Sequence, residues 1–211
     1  YRRQENDHDL GNVAGDQASG IGIHYQYGYG TGNAVYNNKI QNISNKGSTT
    51  TTSVVWGIGA SHATSGTNNI KIYNNMISNL YTSFAGTATV NRYVIGMFVG
   101  VSSASSSQSY DIDNNNISIG QGLTPTYSNA CLELQNSSPV LNIRGNVFAN
   151  YTNAQTGVAK HFGIVVTAAG IGATGTAIDY NDYYIANSQG TSGHVGRNQG
   201  TTTNYNTITD W

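Results

Sequence analysis

The chain has little of what charged, redox-active or membrane proteins rely on. Of its 211 residues only 9% are charged, against about 25% in an average soluble domain. It has 2 prolines and 1 cysteine. The lone Cys131 excludes a disulfide framework and a cysteine-based metal site, and reads as a small apolar residue beside a strand. The formal net charge is −1, with no basic cluster beyond Arg2-Arg3, so there is no electrostatic footprint for nucleic acid or for an anionic lipid surface. No apolar run approaches the roughly 18 residues of a membrane span, and membrane insertion is not expected. The polar opening, YRRQENDHDLGN, carries no initiating Met and is expected of a segment or mature piece of a longer chain.

In place of charge there are Asn, Ser, Thr, 26 Gly and 15 Tyr. A chain low in both charge and hydrophobicity could be disordered, but disordered chains are poor in aromatic and β-branched residues. This one is rich in both, and order is expected.

The order comes from a repeat. Five segments align without gaps: AVYNNKIQNI from Ala34, KIYNNMISNL from Lys71, DIDNNNISIG from Asp111, NIRGNVFANY from Asn142 and AIDYNDYYIA from Ala177. One column holds Asn38, Asn75, Asn115, Asn146 and Asn181. Three residues earlier stand Val35, Ile72, Ile112, Ile143 and Ile178; two residues later stand Ile40, Ile77, Ile117, Phe148 and Tyr183. Alternation puts the aliphatic residue inward on a short strand. The Asn then turns the corner, because it tolerates the left-handed backbone at little cost. Stacked at a strand spacing of about 4.8 Å, equivalent amides can hydrogen-bond along the stack. No 3.6-residue stripe persists, which excludes a helical reading.

A weaker repeat precedes each of these segments: Gly20-Ile21-Gly22-Ile23, Trp56-Gly57-Ile58-Gly59, Ile95-Gly96-Met97, Cys131-Leu132-Glu133-Leu134 and Phe162-Gly163-Ile164-Val165. Counting back from each Asn aligns Ile21 with Ile58, Met97, Leu132 and Ile164. The expected fold is therefore an all-β, right-handed parallel β-helix of about five rungs, three strands to a rung. Variation in length falls in polar loops, where closure entropy grows only logarithmically. Residues 1–19 read as an N-terminal cap or tail, 20–187 as the β-helix, and 188–211 as a partial terminal rung or tail begun by His194-Val195-Gly196. No convincing cap is legible at either end.

The I-x-x-N-x-[IVFY] columns, from Ile21 to about Ile185, resemble the right-handed parallel β-helix superfamily of the pectate lyases, which also carries an Asn ladder between its second and third strands. The Asn- and Tyr-rich, lysine-poor style and the closing YNDYY and TDW look like β-helix regions of large secreted surface proteins of Bacteroidetes-type bacteria, many exported by the type IX route. That resemblance implies an extracellular or cell-surface location. A shared fold does not carry chemistry with it.

Enzymes on this fold act on polysaccharides through groups on the outward face of the first strand. Lyases use Lys or Arg as base, commonly with a calcium site of carboxylates; hydrolases use two or three carboxylates in close reach. Here those positions read as mostly glycine, at Gly20, Gly22, Gly57, Gly59, Gly96 and Gly163, which supply no acid, base or metal ligand. His24 and Glu133 are expected to face outward three rungs apart, about 14 Å, too far to share a proton. Arg92 and Lys160, each preceding a first strand, could flank a groove that binds an acidic sugar; isolated solvated charges are the default reading. Asp113, Arg144 and Asp179 share an outward column, as do Lys71 and Asp111, and an alternating ion-pair ladder is expected. Tyr25, Tyr27 and Tyr29 stand at alternate positions that could stack on sugar faces, or pack inward if the strand runs straight. GIGIHYQYGYGTG has no following helix and is no dinucleotide fingerprint. The sequons at Asn42, Asn116, Asn136 and Asn150 are expected by chance in such a composition.

The sequence thus points to a non-catalytic extracellular module, a stalk, adhesin segment or filament subunit. Its expected partners are glycans or copies of itself end to end; no nucleic acid, metal or cofactor is expected. The alternatives are a polysaccharide lyase or glycoside hydrolase, and a carbohydrate-binding module using the Tyr25–Tyr29 stretch.

Overall fold

The structure, a computed structural model, describes residues 20–28, 30–45, 54–62, 68–82, 92–101, 108–121, 127–135, 140–153, 159–166, 177–186, 192–198, 202–207 and 209. Seventeen strands follow in order. The first rung is β1 (Gly20–Gly28), β2 (Gly30–Tyr36) and β3 (Lys39–Asn45). The second is β4 (Val55–His62), β5 (Asn68–Tyr73) and β6 (Met76–Thr82). The third is β7 (Arg92–Val101), β8 (Gln108–Asp113) and β9 (Asn116–Ile119). The fourth is β10 (Ser128–Gln135), β11 (Val140–Arg144) and β12 (Val147–Asn150). The fifth is β13 (His161–Val166), β14 (Ala177–Asp179) and β15 (Asp182–Ile185). Beyond it lie β16 (Gly193–Asn198) and β17 (Thr203–Tyr205).

Equivalent strands stack into three sheets, β1-β4-β7-β10-β13-β16-β17, β14-β11-β8-β5-β2 and β15-β12-β9-β6-β3. Every pairing is parallel except β16 with β17. The chain is a parallel β-solenoid. The first sheet is longer than the other two: the sixth strand begun by His194 forms, and β17 then folds back antiparallel onto it through Arg197↔Asn204. That reversal covers the edge of the first sheet, a cap that the sequence does not reveal.

The two aliphatic columns are in register across all five rungs, Val35↔Ile72↔Ile112↔Ile143↔Ile178 and Ile40↔Ile77↔Ile117↔Phe148↔Tyr183. Both line the interior core, with Ile72, Ile77, Ile112, Ile117, Ile143 and Phe148 fully buried. Between them runs the Asn ladder. Asn38 Nδ2 donates to Asn75 Oδ1 at 3.0 Å, Asn75 to Asn115 at 2.9 Å, Asn115 to Asn146 at 2.9 Å and Asn146 to Asn181 at 2.9 Å. Each of these oxygens also accepts the backbone N–H of the preceding Asn. The second Nδ2 proton of Asn75, Asn115 and Asn146 reaches a carbonyl one rung back, on Val35, Ile72 and Ile112. The three central amides are therefore saturated while buried, as buried polar groups must be.

The corner divides its labour differently from the expectation. The left-handed residue is not the ladder Asn but the one before it: Asn37, Asn74, Asn114, Gly145 and Tyr180, with φ between 54 and 64°. The preceding residue makes the turn, leaving the ladder residue free to aim its amide along the axis.

The first sheet corrects the sequence reading twice. Ile58 stacks on Ile23, and Ile21 on Trp56. Counting back from Asn38 misplaces the first rung by two residues, because the connection into β2 is shorter there than in the second rung. The glycines, moreover, do not form a smooth outer face. A Cβ on Gly22, Gly57 or Gly96 would run into Ile40, Ile77 or Ile117 of the third sheet and into a carbonyl of the next strand; on Gly163 it would meet Val195 O, Ile185 and Tyr183. These glycines point into the core. Ile58, the residue after Gly57, is also core-facing and fully buried. Two consecutive inward residues break strict alternation, so the strand bends at the glycine. There the backbone comes close enough to the third sheet to exclude a side chain.

Candidate functional site

The outer face of the first sheet is aromatic and apolar rather than bare. Two columns line it, Ile21↔Trp56↔Ile95↔Ala130↔Phe162↔His194 and His24↔Gly59↔Phe98↔Glu133↔Val165↔Arg197. Ala130, Phe162 and Val165 form a second apolar cluster, separate from the interior core. The rings of Trp56 and Phe98 are half-buried and stack with centroids 4.3 Å apart and planes 6° apart. Each roofs a glycine, Trp56 over Gly59 and Phe98 over Gly100. His24 lies beside this pair, its ring edge 3.7 Å from where a Gly59 Cβ would stand. The register places Glu133 three rungs from His24, as expected, and buries it to 3% exposure.

Of the residues singled out in the sequence, Tyr25 is half-buried and packs against the interior core in the Ala60–Val99 column. Its hydroxyl is buried without a hydrogen bond, and burial raises its pKa. The strand runs on far enough to turn this ring inward rather than toward a sugar. Tyr27 lies on β1 with its side chain outside the described residues, and Tyr29 is outside them altogether. Arg92 opens β7 opposite Ser128; its side chain is likewise outside the described set. Lys160 is half-buried, and its backbone N–H donates to Ser128 Oγ at 2.9 Å. The fold thus brings the backbones of Arg92 and Lys160 to either side of Ser128, one rung above and one below.

The expected ion-pair ladder is in register but does not close. Tyr73↔Asp113↔Arg144↔Asp179 stack as read, yet these side chains form no salt bridge. Exposed charges gain little from pairing once solvation is counted. Asp113 instead has a raised pKa, through partial burial and then the neighbouring Asp111 charge, opposed by Arg144 and Lys71. Asp111 is held by amides, accepting from Asn142 at 2.8 Å and Asn69 at 3.2 Å. Among the described residues no three His, Cys, Asp or Glu side chains gather as metal ligands would. Cys131 is fully buried and its thiol pKa is pushed up by desolvation, the opposite of what a nucleophilic thiolate needs.

One cluster escaped the sequence reading. Where the third sheet returns to the first, in rungs four and five, a buried polar network replaces aliphatic packing. Asn150 Nδ2 donates to Asn129 Oδ1 at 2.8 Å and Asn129 Nδ2 to Thr152 Oγ1 at 2.8 Å, while Thr152 N–H donates to Asn150 Oδ1 at 3.2 Å. The ring of His161 sits with Nδ1 3.2 Å from Asn129 Oδ1, and its Nε2 is buried with no partner. Asn129 and His161 continue a column that begins with Val55 and Val94. All four members are 0–1% exposed. Since Asn129 Oδ1 can only accept, His161 carries its proton on Nδ1 and turns a bare lone pair into the interior. Burial, then the nearby His194 and Lys160 charges, lower its pKa to about 4. The only sequence trace of this network was the Asn150-Tyr151-Thr152 triplet, whose first and third residues share a face. Buried at 0%, Asn150 is no glycan acceptor.

The buried chemistry is neutral, and the outer face of the first sheet is mostly aromatic and apolar, with His24, Glu133 and Arg197 in one of its columns. No protein-family model, curated protein or solved structure matches the chain.

Proposed function

We propose that the chain is a non-catalytic β-helical module of an extracellular or cell-surface protein, serving as a stiff stalk or adhesin segment. The observation that carries this reading is the Asn ladder, hydrogen-bonded without a gap from Asn38 to Asn181. It ties five rungs into one column whose turns cannot slip past one another. The kinship with the pectate-lyase-like superfamily and with secreted surface proteins of Bacteroidetes-type bacteria belongs to this proposal and rests on the column pattern and composition alone. A filament subunit fits less well than a stalk. β16 and β17 occupy the place above β13 where the β1 of an in-register second copy would pair. A reducing-end assay on uronate-rich and neutral glycans, with calcium, is expected to show no turnover. Turnover that disappears on replacing Arg92 or Lys160 would establish the lyase or hydrolase alternative instead.

A second reading, carbohydrate binding, is favoured by one feature: the Trp56–Phe98 ring pair, half-exposed on the outer face of the first sheet. Such rings can stack on sugars. Glycan-array binding abolished by Trp56→Ala would support it, and a null array with the intact chain would remove it.

A further inference from the structure

We propose that β16 and β17 form an acid-released latch on the end of the first sheet, with the buried His161 and His194 as its trigger. Both histidines sit where that end is fastened. The His161 backbone N–H donates to Ser192 O at 2.7 Å, the bond that starts the pairing of β13 with β16. Next to it His194, 5% exposed, stacks on Phe162 at 5.6 Å and bonds through Nδ1 to Asn206 Oδ1 at 2.6 Å. That second bond ties β16 to the residue following β17. β16 pairs with β13 through five residues and β17 adds three more pairs to β16, with Thr202 at φ 58° leading into them and Arg197 Nη1 donating to Asn204 Oδ1 at 2.8 Å.

Protonation acts against this arrangement from both sides of β13. A proton on His161 Nε2 would create a buried donor with no acceptor and a charge in the core. The groups facing it do not compensate. Lys160 leads into β13, Arg197 stands 5.8 Å over the Phe162 ring from β16, and a charge on His194 opposes one on His161. From β15 the neighbour is the neutral Tyr183, whose pKa burial pushes up to about 12, and from β17 it is Tyr205. Glu133 on β10 is two strands from Arg197 in the outer column. Opening β16–β17 gives both imidazoles access to water, so acid favours the open state and bares the parallel edge of β13. The lowered pKa of His161 has the sign this requires.

The test is amide hydrogen exchange on the full chain at pH 7 and pH 5, corrected for intrinsic rates. With His161 at about 4 in the closed state and an ordinary value in the open one, β16 and β17 should exchange roughly twentyfold faster at pH 5 than at pH 7 by linkage. Amides of β5 and β8 should keep their protection. In His161→Gln most of that acceleration should vanish. If His161→Gln fails to fold, His194→Gln is expected to lose part of the pH response while folding normally. Unchanged protection of β16–β17 between the two pH values would overturn the proposal. So would an equal loss across all five rungs, or an acceleration that survives both substitutions.

Discussion

The solenoid turns two structurally similar corners in opposite ways. Between the second and third sheets, all five rungs use one device: a left-handed residue followed by a ladder Asn. Between the third sheet and the first, three different devices are used. In rungs one and two, Asn42 and Asn79 adopt left-handed φ of 60° and 52° in the middle of β3 and β6 and bond to one another in solvent, while Leu80 packs inside. In rung three the left-handed residue is Gly120, at φ 79° and one position further along. In rungs four and five the corner fills with Asn129, Asn150, Thr152 and His161. The difference follows from loop length. The Asn corner allows no insertion, so each rung presents the same atoms to the next and a single side-chain solution propagates. The other corner is followed by connections of unequal length, and each rung packs what its own loop leaves there.

The largest test of this contrast is Asn115→Ala. It would leave the Asn75 N–H, one Nδ2 proton of Asn75 and the Ile72 carbonyl without these partners in a dry interior, and take one of the two donors from Asn146 Oδ1. A loss of about 3–5 kcal/mol is expected from several buried groups left unpaired in one network, read as a fall in the denaturant midpoint. The second corner should respond to acid instead. His161 has a pKa near 4 when folded against 6.5 as a free side chain. The unfolded chain therefore takes up the proton first as pH falls. Its stability contribution is complete above pH 6.5 and is lost on descending to pH 4, about 3 kcal/mol in all. Equilibrium unfolding across that range should show the slope, and His161→Gln should flatten it.

Asn129→Ala is predicted to cost less than Asn115→Ala, about 2 kcal/mol. It removes one bond each from Asn150 Nδ2, Thr152 Oγ1 and His161 Nδ1 but interrupts no repeating column. Equal losses for the two variants in denaturant titrations would erase the distinction between the corners. The smallest effect has the opposite sign. Tyr180 holds a left-handed φ of 54° while 83% exposed, at a position where three rungs use Asn and one uses Gly. Tyr180→Asn should raise stability by about 0.5–1 kcal/mol by relieving backbone strain at no loss of packing, measured as a small rise in melting temperature.

The same contrast marks how far the sequence could be read. The columns of Val35, Asn38 and Ile40 and their equivalents were legible because one gapless segment carries all three, so no loop disturbs the count. The first sheet was legible as strands but not in its facing. Its distance from the ladder Asn changes from rung to rung, which displaced Ile21 and set Gly22, Gly57, Gly96 and Gly163 outside when they lie within. Tyr25 packs inward, as read for a strand that runs straight. The network around His161 left no column to detect, because its members come from two rungs and from both sides of a loop.

The sequence by itself determined the solenoid, its ladder and the register of two sheets, since stacking identical short segments satisfies the same hydrogen bonds at every turn. Only the tertiary structure decided which way the first strands face, how the last of them is capped, and where an uncharged histidine is shut away. Those depend on close approaches between segments far apart in the chain, and no local pattern encodes a distance that variable loops are free to change.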